Sequence, residues 1–202
     1  PDHRKIRQYI AYVDGTEGEA RGHGSHVAGS VAGFSTNGAT SNVGDANAMK
    51  GMAYNAQIAF FDIGEAGSPA VYPPADLSAT MFQPAKDLGA RIHTNSWGGN
   101  INAYTQDSRS VDTFAFNNQD FLILFANGNS GPSPQGNVGT PATAKNALSV
   151  GASMNSDRSY GFIQSTCPSP ASEECANNMA PFSSSGPAFD NRIKPDVSAP
   201  GM

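Results

Sequence analysis

Five short apolar runs, each divided from the next by stretches of a different rhythm, constrain this chain most. Ile6 to Val13 (IRQYIAYV), Ala56 to Ile63 (AQIAFFDI), Arg91 to Trp97 (RIHTNSW), Phe121 to Ala126 (FLILFA) and Ala147 to Ala152 (ALSVGA) are too short for typical helices. Their β-branched and aromatic content makes each a strand. AQIAFFDI, bounded by Gly64, suits a buried parallel strand. Between the runs lie helical stretches. A small-residue segment runs from Gly22 to about Phe34, and a second runs from a cap at Asp76 or Ser78 to Leu88, closed by Gly89. Tyr104 to Asn118 spaces Val111, Phe114 and Ala115 at helical intervals. Phe182 to Pro187 and Lys194 to Gly201 read as short strands and turns. Strands and helices in alternation predict an α/β fold with a mostly parallel sheet and right-handed crossovers.

In such sheets a ligand sits beyond the carboxyl ends of the strands. Three Gly/Asn-rich or Pro/Gly-rich segments fall at strand ends: Asn95 to Gly99, Asn127 to Gly131 and Asp196 to Gly201. A polar site belongs there. The 202 residues suffice for one substantial core, read as a single domain or part of one. A net charge of −5 without a Lys/Arg cluster argues against nucleic acid, and no apolar run is long enough to span a bilayer. The chain opens on Pro1-Asp2-His3 and stops in an Ala-Pro-Gly turn, so it reads as a partial domain, 1–202, in which missing targeting signals carry little weight.

The stretch Gly22-His23-Gly24-Ser25-His26-Val27-Ala28-Gly29 delivers a histidine at the first turn of a small-residue helix. Gly22 and Gly24 let the backbone turn tightly and leave the imidazole uncrowded. Ser25 offers a local cap for the first amides. A histidine so placed is a general-base candidate. The plainer reading, two histidines satisfied in a core, stays open on this stretch alone. Zinc is disfavoured because there is no His-Glu-x-x-His run. Asn127-Gly128-Asn129, at the tip of FLILFA, offers side-chain amides in a turn. These either stabilise a developing oxyanion or simply tolerate left-handed backbone. Cys167 and Cys175 lie close together in a Pro/Ser/Glu-rich segment, which favours a local disulfide and an oxidising compartment.

GHGSHVAG, NSWGG, FANGNSGP, GTPATAKNALSVGA and FSSSGP…RIKPDVSAPG occur in this order along one chain. The set resembles the subtilisin-like serine proteases from about residue 4 to 201. ARIHTNSWG and the tract Tyr104-Thr105 with Asp107-Ser108-Arg109 are most similar to the oxidatively stable alkaline branch. The resemblance implies a three-layer α/β/α fold truncated at both ends. It implies His23 as catalytic base, His26 as a structural histidine and Asn129 as oxyanion donor. Ser96, Trp97 and Gly98 would pair with an extended peptide and wall the specificity pocket. Ala126, Asn127 and Gly128 would form the opposite wall, with Gly139 as a floor that leaves room for a large side chain. Asn127 stands where the family usually has a small residue. Thr140-Pro141 is expected to be cis.

Two triad members are expected outside the chain. Asp14 lies too close to His23 to be the family's aspartate, which is placed upstream of Pro1. The nucleophile belongs to a Gly-Thr-Ser-Met-like run, expected beyond the Ala-Pro-Gly turn. Ser183, Ser184, Ser185 and Ser198 are therefore not nucleophiles. The chemistry requires no cofactor. Structural calcium is common in the family, but no full set of oxygen ligands is matched here, and the loop Ser35 to Asp45 is the one candidate place for it. The implied partner is a protein or peptide bound extended to a secreted monomer. The rival reading is a pseudoprotease that keeps the groove without the chemistry. A nucleotide-binding module would need a Gly-x-Gly-x-x-Gly that does not occur.

Overall fold

The structure is a computed structural model that describes residues 5–15, 22–34, 50–154 and 178–201. It divides into two compact units, Pro1–Ala75 and Asp76–Met202.

In the first unit β1 (Ile6–Ala11) pairs in parallel with β2 (Ile58–Asp62). The crossover contains α1 (His23–Ala32). Tyr9 stacks on Phe60 with ring centroids 5.3 Å apart. The Tyr9 hydroxyl donates to Asp62 Oδ2 at 2.5 Å, and the Gly64 amide donates to Oδ1 at 2.9 Å. That carboxylate, a buried group at the end of β2, thus closes the strand pair. The expected double-sided burial of β2 is not seen: Ile58 to Phe61 are half-buried, since β1 is the strand's only sheet neighbour among the described residues. The small residues of α1 do serve close approach. A Cβ on Gly24 would sit 2.7 Å from the Phe60 ring. The amides of Gly51, Met52 and Ala53 donate to the carbonyls of Gly33, Ser30 and Val31, which satisfies carbonyls at the end of the helix.

In the second unit a π-helical turn (Ser78–Phe82) runs into α2 (Gln83–Asp87). Pro84 has no N–H to give the preceding turn, and the widened turn accommodates that loss. The Asp76 carboxylate caps this segment by accepting from the Ala79 amide at 3.0 Å, and Gly89 closes it at φ 102°. Then follow β3 (Ile92–Asn95), α3 (Gln106–Asn117), β4 (Leu122–Ala126), β5 (Leu148–Ser153) and β6 (Val197–Pro200). The four strands lie in the order β3-β4-β5-β6, all parallel, as the alternation predicts. On α3 Val111 and Phe114 are buried, and the Phe114 ring meets those of Phe82 and Phe121, each with centroids 5.3 Å apart. Strand limits fall within two residues of the ends of the apolar runs, the usual slack at element ends.

His93 on β3 points into this core. Its ring meets Phe82 edge-on at 4.9 Å, and Nδ1 is buried with no hydrogen-bond partner among the described residues. Burial pushes the imidazole down to about 4, with a hydrogen bond to Asn95 working the other way. The unfolded chain binds a proton near the ordinary 6.5, the folded chain only near 4. Stability from this group is therefore complete above pH 6.5 and lost as pH falls from there towards 4. At 1.4 kcal/mol per unit the full loss is on the order of 3 kcal/mol. Urea unfolding at pH 7.5 and pH 4.5 should show it, and His93→Leu should flatten the difference. An unchanged difference in His93→Leu would show that other groups carry it.

Candidate active site

His23 is the first residue of α1, and the chain enters it through Gly22 in the left-handed conformation at φ 63°. Here the expectation for Ser25 is corrected. It lies inside the helix, and no side chain caps the first turn. Gly22 itself begins the helix, its carbonyl accepting from the His26 amide at 2.9 Å. A serine two residues past the helix start cannot reach back as a cap does, and a glycine that adopts positive φ needs no capping side chain to turn the chain. The His23 ring is exposed. His26 is exposed as well, so the packing role expected of it finds no support in this placement.

In the second unit the segments after β3 and β4 meet Gly139-Thr140 at the carboxyl edge of the sheet. The third segment expected at a strand end, Asp196 to Gly201, instead supplies β6 itself, because Val197–Pro200 pairs in parallel with β5. Beyond β3, the Gly99 amide donates to the Thr140 carbonyl at 2.9 Å in an antiparallel bridge. Beyond β4, the Asn127 carbonyl accepts from the Gly139 amide at 3.0 Å. Gly139 thus joins the segment after Ser96-Trp97-Gly98 to the segment Ala126-Asn127-Gly128. A Cβ on Gly139 would lie 2.6 Å from the Gly99 carbonyl oxygen, and one on Gly98 would lie 2.7 Å from the Thr140 carbonyl oxygen. The glycine at 139 is demanded by this backbone contact, a stronger reason than an open pocket floor. Gly139→Ala should force the two segments apart at a cost of about 1–3 kcal/mol, read as a lower melting temperature. An unchanged melt would mean that the junction is slack.

Ser96 is exposed, while Trp97 folds back. Its Nε1 donates to Asn95 Oδ1 at 3.1 Å, and its ring meets Phe125 edge-on at 5.3 Å. Buried hydroxyls anchor the next segment to α3. Ser108 Oγ lies 3.0 Å from Thr140 Oγ1 and 2.9 Å from Thr143 Oγ1. The Thr140-Pro141 peptide is cis, as expected, as are Gly186-Pro187 and Lys194-Pro195.

Asn129 sits in the turn that leaves β4. It is exposed, and among the described residues no hydrogen bond engages its side-chain amide. Asn127 is placed differently from its expected position on a wall. It is 1 % exposed, its side chain is turned inward, and its backbone groups are committed to Val150 and Gly139. What it gives the wall is support from behind.

The serines set aside as nucleophiles have other partners. Ser183 Oγ accepts from the Ala152 amide, Ser184 Oγ from Ser130, and Ser185 Oγ from Ser133. Ser198 Oγ contacts Met179 Sδ at 3.3 Å. Asp14 accepts from the Ala66 amide at 2.7 Å, a loop-tying task. Sequence reasoning missed the bonded set formed by Asn127, Ser149, Ser184, Lys194 and Asp196. A lysine two residues before an aspartate in a strand-forming run was the one signal for part of it. Cys167, Cys175 and the loop Ser35 to Asp45 lie outside the described residues, and among the described residues no group of three or more His, Cys, Asp or Glu that could hold a metal is found. Among the described residues no helix is long and apolar enough to cross a membrane.

The subtilase family model matches residues 3–202. Two Dictyostelium discoideum proteins, the serine protease/ABC transporter B family proteins tagD and tagB, are 30% and 31% identical over 100% and 99% of this chain. The chain spans only 14% and 13% of their lengths. A solved psychrophilic protease, S41, is 29% identical with a TM-score of 0.55, over 87% of this chain and 50% of its own.

Proposed function

The chain belongs to the subtilase family, and from that premise we propose that it is part of the catalytic domain of a serine endopeptidase, with His23 as general base and Asn129 as oxyanion donor. Membership supports serine peptidase activity in general. The observation that carries the finer reading is the junction of three glycine-rich segments beside a turn that leaves the Asn129 amide unengaged. The expected Asp-Thr/Ser-Gly context and Gly-Thr-Ser-Met-like run do not occur in the 202 residues, so the aspartate is proposed upstream and the serine downstream.

The chemistry is acyl transfer. The serine oxygen attacks the scissile carbonyl while His23 takes its proton and later returns it to the leaving amine. The aspartate orients the ring. The carbonyl oxygen, charged only in the tetrahedral state, is held by the Asn129 side-chain amide and the N–H of the nucleophile. The substrate is a protein or peptide lying extended along Ser96 to Gly98, where backbone pairing gives affinity with little side-chain choice. No cofactor enters these steps. Export from the cell, a monomeric state and structural calcium are part of the same proposal.

The test compares the 202-residue chain with one extended through both motifs, using a peptide p-nitroanilide and a fluorophosphonate label. The extended chain should cleave and be labelled; the shorter one should do neither. Turnover by the purified shorter chain would overturn the division of the triad. An extended chain that binds peptide without cleaving it would be a binding protein, and His23 a relic.

A further inference from the structure

Ser184 straddles Asn129. Its amide donates to the carbonyl of Gly128 at 2.9 Å, and its hydroxyl accepts from the amide of Ser130 at 3.1 Å. The residues before and after the candidate oxyanion donor are thus both tied to one serine, itself 1 % exposed. The fit is close. Gly128 has φ 118°, and a Cβ there would lie 2.6 Å from Ser184 Oγ.

Ser184 is in turn held from behind. The Asn127 amide donates to its carbonyl at 2.7 Å, and Ser149 Oγ donates to Asn127 Oδ1 at 2.6 Å. The Ser149 amide donates to Asp196 Oδ2 at 2.7 Å, and the same oxygen takes the buried Lys194 ammonium at 2.7 Å. Lys194 spends a further donor on the Ala147 carbonyl at 3.0 Å. A continuous series of bonds therefore runs from the start of β6 to the Asn129 turn, and its interior members are satisfied. Buried polar groups so fully paired fix one geometry, because each alternative leaves a group without a partner.

We propose that Ser184, oriented by Asn127, is a positioning residue for the Asn129 amide. The proposal rests on the serine-peptidase reading above. An oxyanion donor works by being in place before charge develops, so a loosened turn lowers turnover more than substrate binding. Asn129 makes no described bond of its own, and its aim depends on its two flanking residues.

The experiment uses the extended, active chain. Ser184→Ala removes the acceptor of the Ser130 amide, leaving the 3.3 Å bond from Asn137 to the Ser130 carbonyl, and should lower kcat on the order of 10-fold with KM nearly unchanged. Affinity for a peptidyl trifluoromethyl ketone, whose adduct carries an oxyanion, should fall by a matching factor. Affinity for a noncovalent product peptide should not fall. Ser184→Thr keeps the acceptor and should restore kcat. Asn127→Ala should act in the same direction and add little to Ser184→Ala, since it reaches the turn through Ser184. Ser185→Ala is the control: its hydroxyl serves Ser133, accepting from that amide and donating to that carbonyl, so it should lower the melting temperature and leave kcat alone. Unchanged kcat and ketone affinity in Ser184→Ala, with Asn129→Ala crippled, would overturn the clamp alone. An equal kcat loss in Ser185→Ala would do the same. A silent Asn129→Ala would overturn the serine-peptidase reading and the clamp with it.

Discussion

His23→Ala in the extended chain is expected to abolish peptide hydrolysis, with a loss in kcat on the order of 10⁶-fold, a magnitude borrowed from subtilisin itself. The size follows from the division of labour. Without an acceptor for the hydroxyl proton the serine is a weak nucleophile, and the same ring is needed to protonate the departing amine. The structure offers the ring for that task, exposed at the first position of α1 with a left-handed Gly22 setting its entry. Folding should be little affected, because the imidazole is not part of a buried core. Circular dichroism and melting should therefore match the parent while turnover is lost. His26→Ala, three residues further along the same helix, should retain turnover. Equal loss in both variants with unchanged melting would show that the first histidine is not the base.

Asn129→Ala should cost roughly 10²–10³ in kcat, again a value taken from subtilisin rather than from this structure, with KM moving little. Ground-state substrate carries a carbonyl that needs no strong donor. The tetrahedral state carries a charge that does, so the loss belongs to kcat. The exposed amide makes no hydrogen bond among the described residues, so its removal should leave nothing buried unpaired and melting should hold. Steady-state kinetics on a peptide p-nitroanilide decide the matter. A rise in KM at constant kcat would make Asn129 a binding residue instead.

What could be read in advance was what is local along the chain. A six-residue apolar run declares a strand, and Val111 with Phe114 declares a helix face, because pleat and helical pitch are set by neighbours a few residues apart. Small residues after His23 likewise declared a helix that must pass close to something, and Gly24 over Phe60 is that contact. Composition failed where the outcome depended on which strands found each other. β2 reads as buried on both faces and is half-buried here, since apolar content does not say how many neighbours a strand will have.

By itself, then, the sequence determined the strands and helices, the parallel pairing and the family, and it supplied the proposal of His23 and Asn129 for the chemistry. Only the tertiary structure decided that Gly22 and not a serine opens α1, and that Gly139 answers to the Gly99 carbonyl. It alone turned Asn127 inward to a serine 57 residues later. The reason is physical. Helical and pleated periodicity are written in nearest neighbours, but a hydrogen bond between distant residues exists only once the sheet has closed and excluded water from both partners. Three consecutive serines look alike in sequence. Their partners, Ala152, Ser130 and Ser133, set them apart only after folding.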